Sequence, residues 1–228
     1  MKSLLIASLP KSSSTAAYAN VAQATRHELR QIVPRGGEVI GLLDGYIEKL
    51  HGERDEQALL DHFRQYKDDC VIKDVLATQL VPQLTSDFNV LCVHRNPADL
   101  LYLRLNRKAF PWEMMLLPED ERPDMSPFCM KVVQRSWVDI IVDYKEPLAR
   151  GILLGQKLLQ EHADEVVQFD QLVTRPQVLW DAIRNLGYKA DAHDYASKAK
   201  WQSTVKSRWA VRDTAEWKQL DALMRSLS

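Results

Sequence analysis

One ammonium group and four hydroxyl groups lie side by side near the start of the chain, on Lys11, Ser12, Ser13, Ser14 and Thr15. The apolar run at residues 2–9 precedes them and predicts a buried strand, and residues 16–33 repeat apolar side chains at helical spacing. The backbone N–H groups that open a helix carry partial positive charge, so a strand-to-helix junction of this kind binds anions. The sequence therefore predicts a phosphate or sulfate site in this loop.

The position of the lysine distinguishes this loop from a Walker A loop. A Walker A loop has two glycines and ends with its lysine, followed by a hydroxyl that contacts magnesium. Here Lys11 comes first and the hydroxyls follow it. The alternative interpretation is a serine-rich helix cap without a ligand, but such a cap needs no cation, and Lys11 therefore favours the anion site.

The same loop resembles the phosphosulfate-binding loop of sulfotransferases that use 3'-phosphoadenosine 5'-phosphosulfate (PAPS), which reads Pro-Lys-Ser-Gly-Thr-Thr. The matching positions are Pro10, Lys11, Ser12 and Thr15. Ser13 stands in place of the family's glycine and Ser14 in place of its first threonine. The resemblance implies that Lys11 acts on the transferred group and that residues 12–15 bind the phosphosulfate. If the glycine position requires a positive φ angle, Ser13 carries strain.

Two further segments extend the resemblance along the chain. Residues 89–99 are an apolar strand that runs into Arg-Asn-Pro-Ala-Asp, similar to the family's Arg-Asn-Pro-x-Asp. This likeness implies that Arg95 binds the 3'-phosphate of the nucleotide. The family's partner serine falls on Leu103, next to Arg104. Residues 166–176, followed by a helix that closes at Leu186 and Gly187, look like the family's late strand and helix.

The C-terminal segment 201–209 has two cations and several hydroxyls between two tryptophans. It resembles the region in which sulfotransferases return a basic loop to the 3'-phosphate, although the family's Arg-Lys-Gly triplet is missing. Lys206 or Arg208 could bind the 3'-phosphate in place of the serine hydroxyl that Leu103 does not provide. An amphipathic surface helix is the alternative interpretation, because both Trp209 and Trp217 can pack on a core.

The general base that accepts the acceptor's proton is left open by the sequence. In one branch of the family it is a histidine after a Lys-Thr pair on the third strand, and the corresponding stretch here is Lys73-Asp74-Val75. Asp74 is the first alternative, and Asp44 is the second, as the counterpart of a glutamate used by other branches. His94 or a lid residue is the third. Either aspartate can instead be a turn or cap residue.

The alternation of apolar strands with amphipathic helices predicts a three-layer α/β fold with a central parallel sheet. Strands are expected at 3–9, 38–43, 70–76 and 89–94, and helices at 15–33, 55–67, 78–84 and 98–108. The resemblance implies the P-loop NTPase-like architecture of sulfotransferases. Ligands bind at the carboxyl ends of such strands, where the Lys11 loop, the Asp44-Gly45 turn, Lys73-Asp74 and Arg95 are expected.

Residues 110–127 interrupt the alternation with prolines, acidic side chains and methionines. This segment is interpreted either as a substrate lid or as a solvated surface loop. A long helix is expected at 128–162, bent near Pro147. With 228 residues, of which 46% are hydrophobic, and no linker-like stretch, the chain is expected to form one domain over residues 1–228.

Charge and cysteine content limit the class of protein. Thirty basic and 31 acidic residues give a net charge of −1, which offers no general attraction to nucleic acid or to anionic membranes. The three cysteines, Cys70, Cys92 and Cys129, are expected to be reduced thiols. We expect neither a signal peptide, nor a membrane span, nor a metal, since the histidines lack ligand spacing. These expectations describe a cytoplasmic protein, similar to the soluble bacterial type of the family.

The resemblance implies a function as well as a fold. A PAPS-dependent sulfotransferase moves a sulfuryl group to a hydroxyl or amine and releases adenosine 3',5'-bisphosphate (PAP). The acceptor, whether a small molecule, a glycan or a lipid, cannot be deduced from the fold. The alternative is a catalytically degenerate nucleotide-binding protein on the same scaffold, which Ser13, Leu103 and the missing histidine after Lys73 favour. A small-molecule kinase is disfavoured because the Walker A glycines are missing.

Overall fold

The computed structural model describes residues 1–10, 12–32, 56–106, 111–125, 141–190 and 210–228. The chain divides into two compact units, one formed by residues 1–94 and 158–199 and the other by residues 95–157 and 200–228. Each unit is described separately below, and the single domain over residues 1–228 stays a prediction. The predicted strand at 38–43 lies outside the described residues.

The first unit is an α/β structure with an all-parallel sheet, which confirms the predicted fold class. Its described strands are β1 (Ser3–Ala7), β2 (Arg30–Gln31), β3 (Cys70–Asp74), β4 (Phe88–His94) and β5 (Glu165–Gln168). They lie in the order β2-β3-β1-β4-β5. Every side chain of β1 and β3 is buried, as expected for strands of a parallel sheet that helices cover on both faces.

The described α-helices of the whole chain follow in sequence order. They are α1 (Ser14–Ala24), α2 (Glu56–Arg64), α3 (Val81–Leu84), α4 (Pro97–Leu105), α5 (Lys145–His162), α6 (Phe169–Thr174), α7 (Gln177–Asn185) and α8 (Ala215–Leu227). A 3₁₀ turn at Leu76–Leu80 precedes α3. Gly187, at φ +88, ends the turn after α7. The structure therefore confirms the predicted strand and helix at 166–187.

The strand register sets the carboxyl edge of the sheet. Ala7, near the end of β1, pairs with Asp74 on one side and with Cys92 on the other. Paired residues on neighbouring parallel strands point to the same face, whereas successive residues along one strand alternate. The ends of β1, β3 and β4 therefore lie next to each other at one edge.

Helix α1 is shorter than predicted: a helix was expected at 15–33, and α1 ends at Ala24. The hydroxyl of Thr25 donates to the carbonyl of Val21, 2.8 Å away, and the chain turns after it. Leu29 and Ile32, which extended the apolar periodicity, are buried beyond the helix end and flank strand β2. The prediction was wrong here because burial and helical spacing coincided in a segment that is not helical.

Two of the cysteines fit the expectation of core thiols. Cys70 on β3 and Cys92 on β4 are free and buried. Burial raises the pKa of the Cys92 thiol to about 12, so this thiol is protonated at neutral pH. Cys129 lies outside the described residues.

The second unit contains α4, the greater part of α5, and α8. The described part of the predicted lid forms two 3₁₀ turns at Trp112–Leu116 and Glu119–Glu121. Within the first turn, Glu113 and Met114 are buried, so this part of the segment is packed rather than solvated. Pro147 lies in the first turn of α5, where a proline removes no intrahelical hydrogen bond. Among the described residues of the whole chain, no helix combines the length and the apolar character needed to cross a bilayer.

Gly151 on α5 permits a close approach to the 3₁₀ turn at Trp112–Leu116. A Cβ atom at this position would lie 2.1 Å from the backbone oxygen of Glu113. No real Cβ atom tolerates such a contact, so the helix and the turn would have to separate.

We expect Gly151→Ala to lower the free energy of unfolding by about 2 kcal/mol or more, because the overpacking exceeds the gain in helix propensity of about 1 kcal/mol. Urea denaturation measures the change. Gln160→Ala, at an exposed position of the same helix, is the control and should change the free energy by less than about 0.5 kcal/mol. A Gly151→Ala protein as stable as the parent would contradict the close approach.

Candidate anion-binding site at the carboxyl edge of the sheet

The loop between β1 and α1 is built on a turn that ends in a left-handed residue. The amide of Ser12 donates to the carbonyl of Leu9, 3.2 Å away, and Ser13 follows with φ 72 and ψ 21. The carbonyl of Ser13 then accepts from Ala16 and Ala17, each at 3.1 Å. The Ser13 side chain makes no capping hydrogen bond, so it does not occupy the N-terminus of α1.

The conformation of Ser13 is the one that the family's glycine would adopt without cost. A non-glycine residue in the left-handed region is destabilised by roughly 1–2 kcal/mol. Of the described residues other than glycine, only Ser13 and Asp69 have positive φ. The expectation that Ser13 carries strain is therefore confirmed.

Several hydroxyl groups surround this turn. Ser12 and Ser14 are buried, whereas Thr15 is exposed. Ser8, directly after β1, is fully buried, and its Oγ has no hydrogen-bond partner among the residues that the structure describes. Leaving a buried hydroxyl unsatisfied costs about 1–3 kcal/mol. The Ser8 hydroxyl is therefore available to donate a hydrogen bond to a ligand.

Lys73, which the sequence placed at this edge of the sheet without giving it a role, adds a cation. It is the fourth residue of β3 and is only 3% exposed. Its Nζ donates to Oγ1 of Thr15 across 3.1 Å, which places the ammonium beside the first turn of α1. Lysine is rarely buried to this extent without a compensating partner. The signal available in the sequence was a lysine that directly follows the apolar run Cys70-Val71-Ile72.

Asp74 and His94 lie on the other face of the sheet from Lys73. Asp74 is buried at the end of β3 and, as the next residue after Lys73, points to the opposite face. His94 lies two residues beyond Cys92, which pairs with Ala7, so it shares the face of Asp74. The Nδ1 atom of His94 is 2.8 Å from Oε1 of Gln168. A neutral ring that donates from Nδ1 keeps its lone pair on Nε2.

In the second unit, Arg95 follows directly after strand β4 and is 2% exposed. Its Nε lies 3.5 Å from Oδ2 of Asp99, one helical turn further along. Asn96 caps α4 between them, accepting from the amides of Ala98 and Asp99. The carbonyl of Arg95 accepts a hydrogen bond from Gln156. Arg95 is therefore fixed through its backbone and held by a carboxylate through its side chain.

Leu103 and Arg104 lie where the resembling family has its partner serine, and neither side chain offers a hydroxyl there. Leu103 is partly exposed and has no hydrogen-bonding group. Arg104 is buried, and its Nε lies 2.8 Å and 3.1 Å from the two carboxylate oxygens of Glu113. The Arg104 guanidinium thus neutralises a buried carboxylate within the second unit.

The structure brings part of the predicted site together. Four of the predicted residues lie at the junction of β1 and α1, with Ser12 and Ser13 in the loop and Ser14 and Thr15 in the first turn of α1. Asp74 ends a strand at the same edge of the sheet, and Arg95 belongs to the second unit. Four others lie outside the described residues, namely Lys11, Asp44, Lys206 and Arg208. The residues that the sequence analysis missed are Ser8 and, in the second unit, Arg212, whereas Lys73 was expected at this edge but was given no role.

Comparison with known proteins found no match for this chain. No family model matches the chain, and neither a curated protein nor a solved structure matches it. Among the described residues there is also no cluster of three histidine, cysteine or acidic side chains suited to a metal ion.

The left-handed turn generates a prediction with a definite sign. We expect Ser13→Gly to raise the free energy of unfolding by up to about 1 kcal/mol, since relief of roughly 1–2 kcal/mol of strain exceeds the added entropy of the unfolded chain. Ala19→Gly, at an exposed position inside α1, should lower it by about 1 kcal/mol. Guanidinium denaturation compares the two variants. Destabilisation by both substitutions would show that Ser13 is not left-handed.

Proposed function

We propose that this chain is a PAPS-dependent sulfotransferase, which transfers a sulfuryl group to a hydroxyl or amine of a small molecule, a glycan or a lipid. The observation that carries the proposal is the left-handed Ser13 turn between β1 and α1. Ser13 stands at the family's glycine position and has a backbone conformation that a glycine adopts without strain. Two buried free thiols in the sheet are in keeping with our further proposal of a cytoplasmic location.

The environment of the turn supports an anionic ligand. Lys73 brings a buried ammonium to the first turn of α1, and the helix N-terminus adds partial positive charge. The unsatisfied hydroxyl of Ser8 is a further donor at the end of β1. A phosphosulfate has enough oxygen acceptors for all of these groups. The resemblance adds Lys11 at the bridging oxygen and Arg95 at the 3'-phosphate.

The reaction follows from the chemistry of the donor. The bond between sulfur and the bridging phosphate oxygen breaks, a bond forms between sulfur and the acceptor's hydroxyl oxygen or amine nitrogen, and the acceptor's proton passes to a base. PAP leaves with the bridging oxygen. By analogy with phosphoryl transfer, the transition state is loose, with negative charge growing on that oxygen. Lys11, Lys73 and the backbone donors of the loop would stabilise this charge.

For the base we retain the alternatives that the sequence leaves open. Asp74 ends β3 at the same edge of the sheet as the loop, on the face opposite to Lys73. His94 shares the face of Asp74, and its Nδ1 lies 2.8 Å from Oε1 of Gln168. Asp44 and a residue of the segment 110–127 are the remaining alternatives for the base.

A second function is favoured by one observation in the second unit. Leu103 lacks the family's hydroxyl, and the neighbouring Arg104 is engaged in a buried ion pair with Glu113. A protein with such a weakened 3'-phosphate site could bind the nucleotide without turnover. The catalytically degenerate nucleotide-binding protein is therefore the alternative function.

Nucleotide affinity tests the proposal. We expect PAP to bind at least about tenfold more tightly than ATP, and Lys73→Met to weaken PAP binding by about tenfold or more, because a charge-assisted hydrogen bond contributes roughly 1.5–3 kcal/mol. Isothermal titration calorimetry measures both, with circular dichroism to show that the variant is folded. Lys67→Met, at an exposed position of the same unit, is the control and should leave PAP affinity unchanged.

Each outcome has a distinct meaning. Equal affinities for PAP and ATP, or no binding of PAP to the parent protein, would remove the sulfotransferase proposal. PAP binding with no sulfuryl transfer from PAPS to phenol, sugar, amine and lipid acceptors would support the degenerate alternative. Lys73→Met binding PAP like the parent would remove Lys73 from the site.

A further inference from the structure

We propose that Arg212 is a positioning residue for Arg95 and that it acts through Asp99. The inference rests on the proposed function, since Arg95 is there assigned to the 3'-phosphate. Arg212 lies in the 3₁₀ turn Ala210–Asp213, directly before α8. The C-terminal part of the chain thereby reaches the residue that holds Arg95.

The Asp99 carboxylate is fixed by two groups from the C-terminal part of the second unit. Arg212 donates from Nε to Oδ1 at 3.0 Å and from Nη2 to Oδ2 at 2.6 Å, which is the two-pronged geometry that orients a carboxylate most firmly. Nε1 of Trp217 donates to Oδ1 at 2.9 Å. Asp99 itself is only 6% exposed.

The same carboxylate faces Arg95. Oδ2 of Asp99, which accepts from Arg212, lies 3.5 Å from Nε of Arg95. The Arg95 backbone is held independently, because Gln156 donates to its carbonyl and Asn96 caps the helix that follows. The position of the Asp99 carboxylate therefore contributes to the direction of the Arg95 guanidinium.

This arrangement predicts the sign of the effect of losing Arg212. Arg212 and Trp217 donate hydrogen bonds to the Asp99 carboxylate, which lies 3.5 Å from Nε of Arg95. Asp99 therefore attracts Arg95 less strongly and competes less with a phosphate for the Arg95 guanidinium. Without Arg212, the Asp99 carboxylate would attract Arg95 more strongly, because both groups are nearly buried and poorly screened by water. Arg95 would then be drawn toward Asp99 and away from a phosphate.

Titration of the full chain with PAP and with AMP, which lacks the 3'-phosphate, tests this role. We expect Arg212→Ala to weaken PAP binding by about tenfold and to leave AMP binding unchanged. Arg212→Lys restores the charge without the fork and should give an intermediate affinity. Arg225→Ala is the control, since Arg225 is exposed and pairs with Asp221 within α8. It should bind both nucleotides like the parent.

Equal loss of PAP and AMP binding in Arg212→Ala would show a merely structural role and overturn the inference. So would unchanged PAP binding in Arg212→Ala.

A second measurement needs no nucleotide and separates this inference from the proposed function. The ¹⁵N resonance of the Arg95 Nε–H should shift in Arg212→Ala and not in Arg225→Ala. An unshifted resonance overturns the positioning role. A shifted resonance in a protein that does not bind PAP supports the positioning of Arg95 and removes the nucleotide assignment.

Discussion

The strained backbone at Ser13 is the constraint on which the loop depends. Strand β1 and helix α1 are joined by a short turn, and the chain passes through the left-handed region at Ser13 as it enters the helix. Thr15, two residues further on, accepts a hydrogen bond from Lys73. A serine in a position suited to glycine costs stability, and such strain is typical of sites where geometry serves binding.

Three cationic side chains of the described residues are buried. Lys73 in the first unit and Arg95 and Arg104 in the second are almost completely buried. Arg104 lies at ion-pair distance from a buried carboxylate, which makes that pair an element of packing. The Nζ of Lys73 donates to a hydroxyl in the first turn of α1, and a helix N-terminus favours an anion. This position at the helix N-terminus is why we propose Lys73 as part of the site.

Much of the fold was predictable, because a parallel sheet requires continuous apolar strands and the chain shows them at β1, β3 and β4. The end of α1 was not predictable, because Leu29 and Ile32 continue the apolar spacing of the helix but lie beyond its end, where they are buried. The resemblance to a loop with glycine raised a positive φ at Ser13 only as a condition, and the structure shows that φ angle. Arg212 could not be found, because its contact with Asp99 joins distant parts of the sequence and leaves no local pattern.

The central claim is that the loop from Pro10 to Thr15 binds the 5'-phosphate end of the nucleotide. A crystal structure of the full chain with PAP tests this most directly. Our account predicts the 5'-phosphate within hydrogen-bonding distance of the backbone N–H groups of residues 12–15, with Ser13 left-handed and Lys73 Nζ nearby. A 5'-phosphate bound elsewhere on the protein, with no oxygen near this loop, would contradict it.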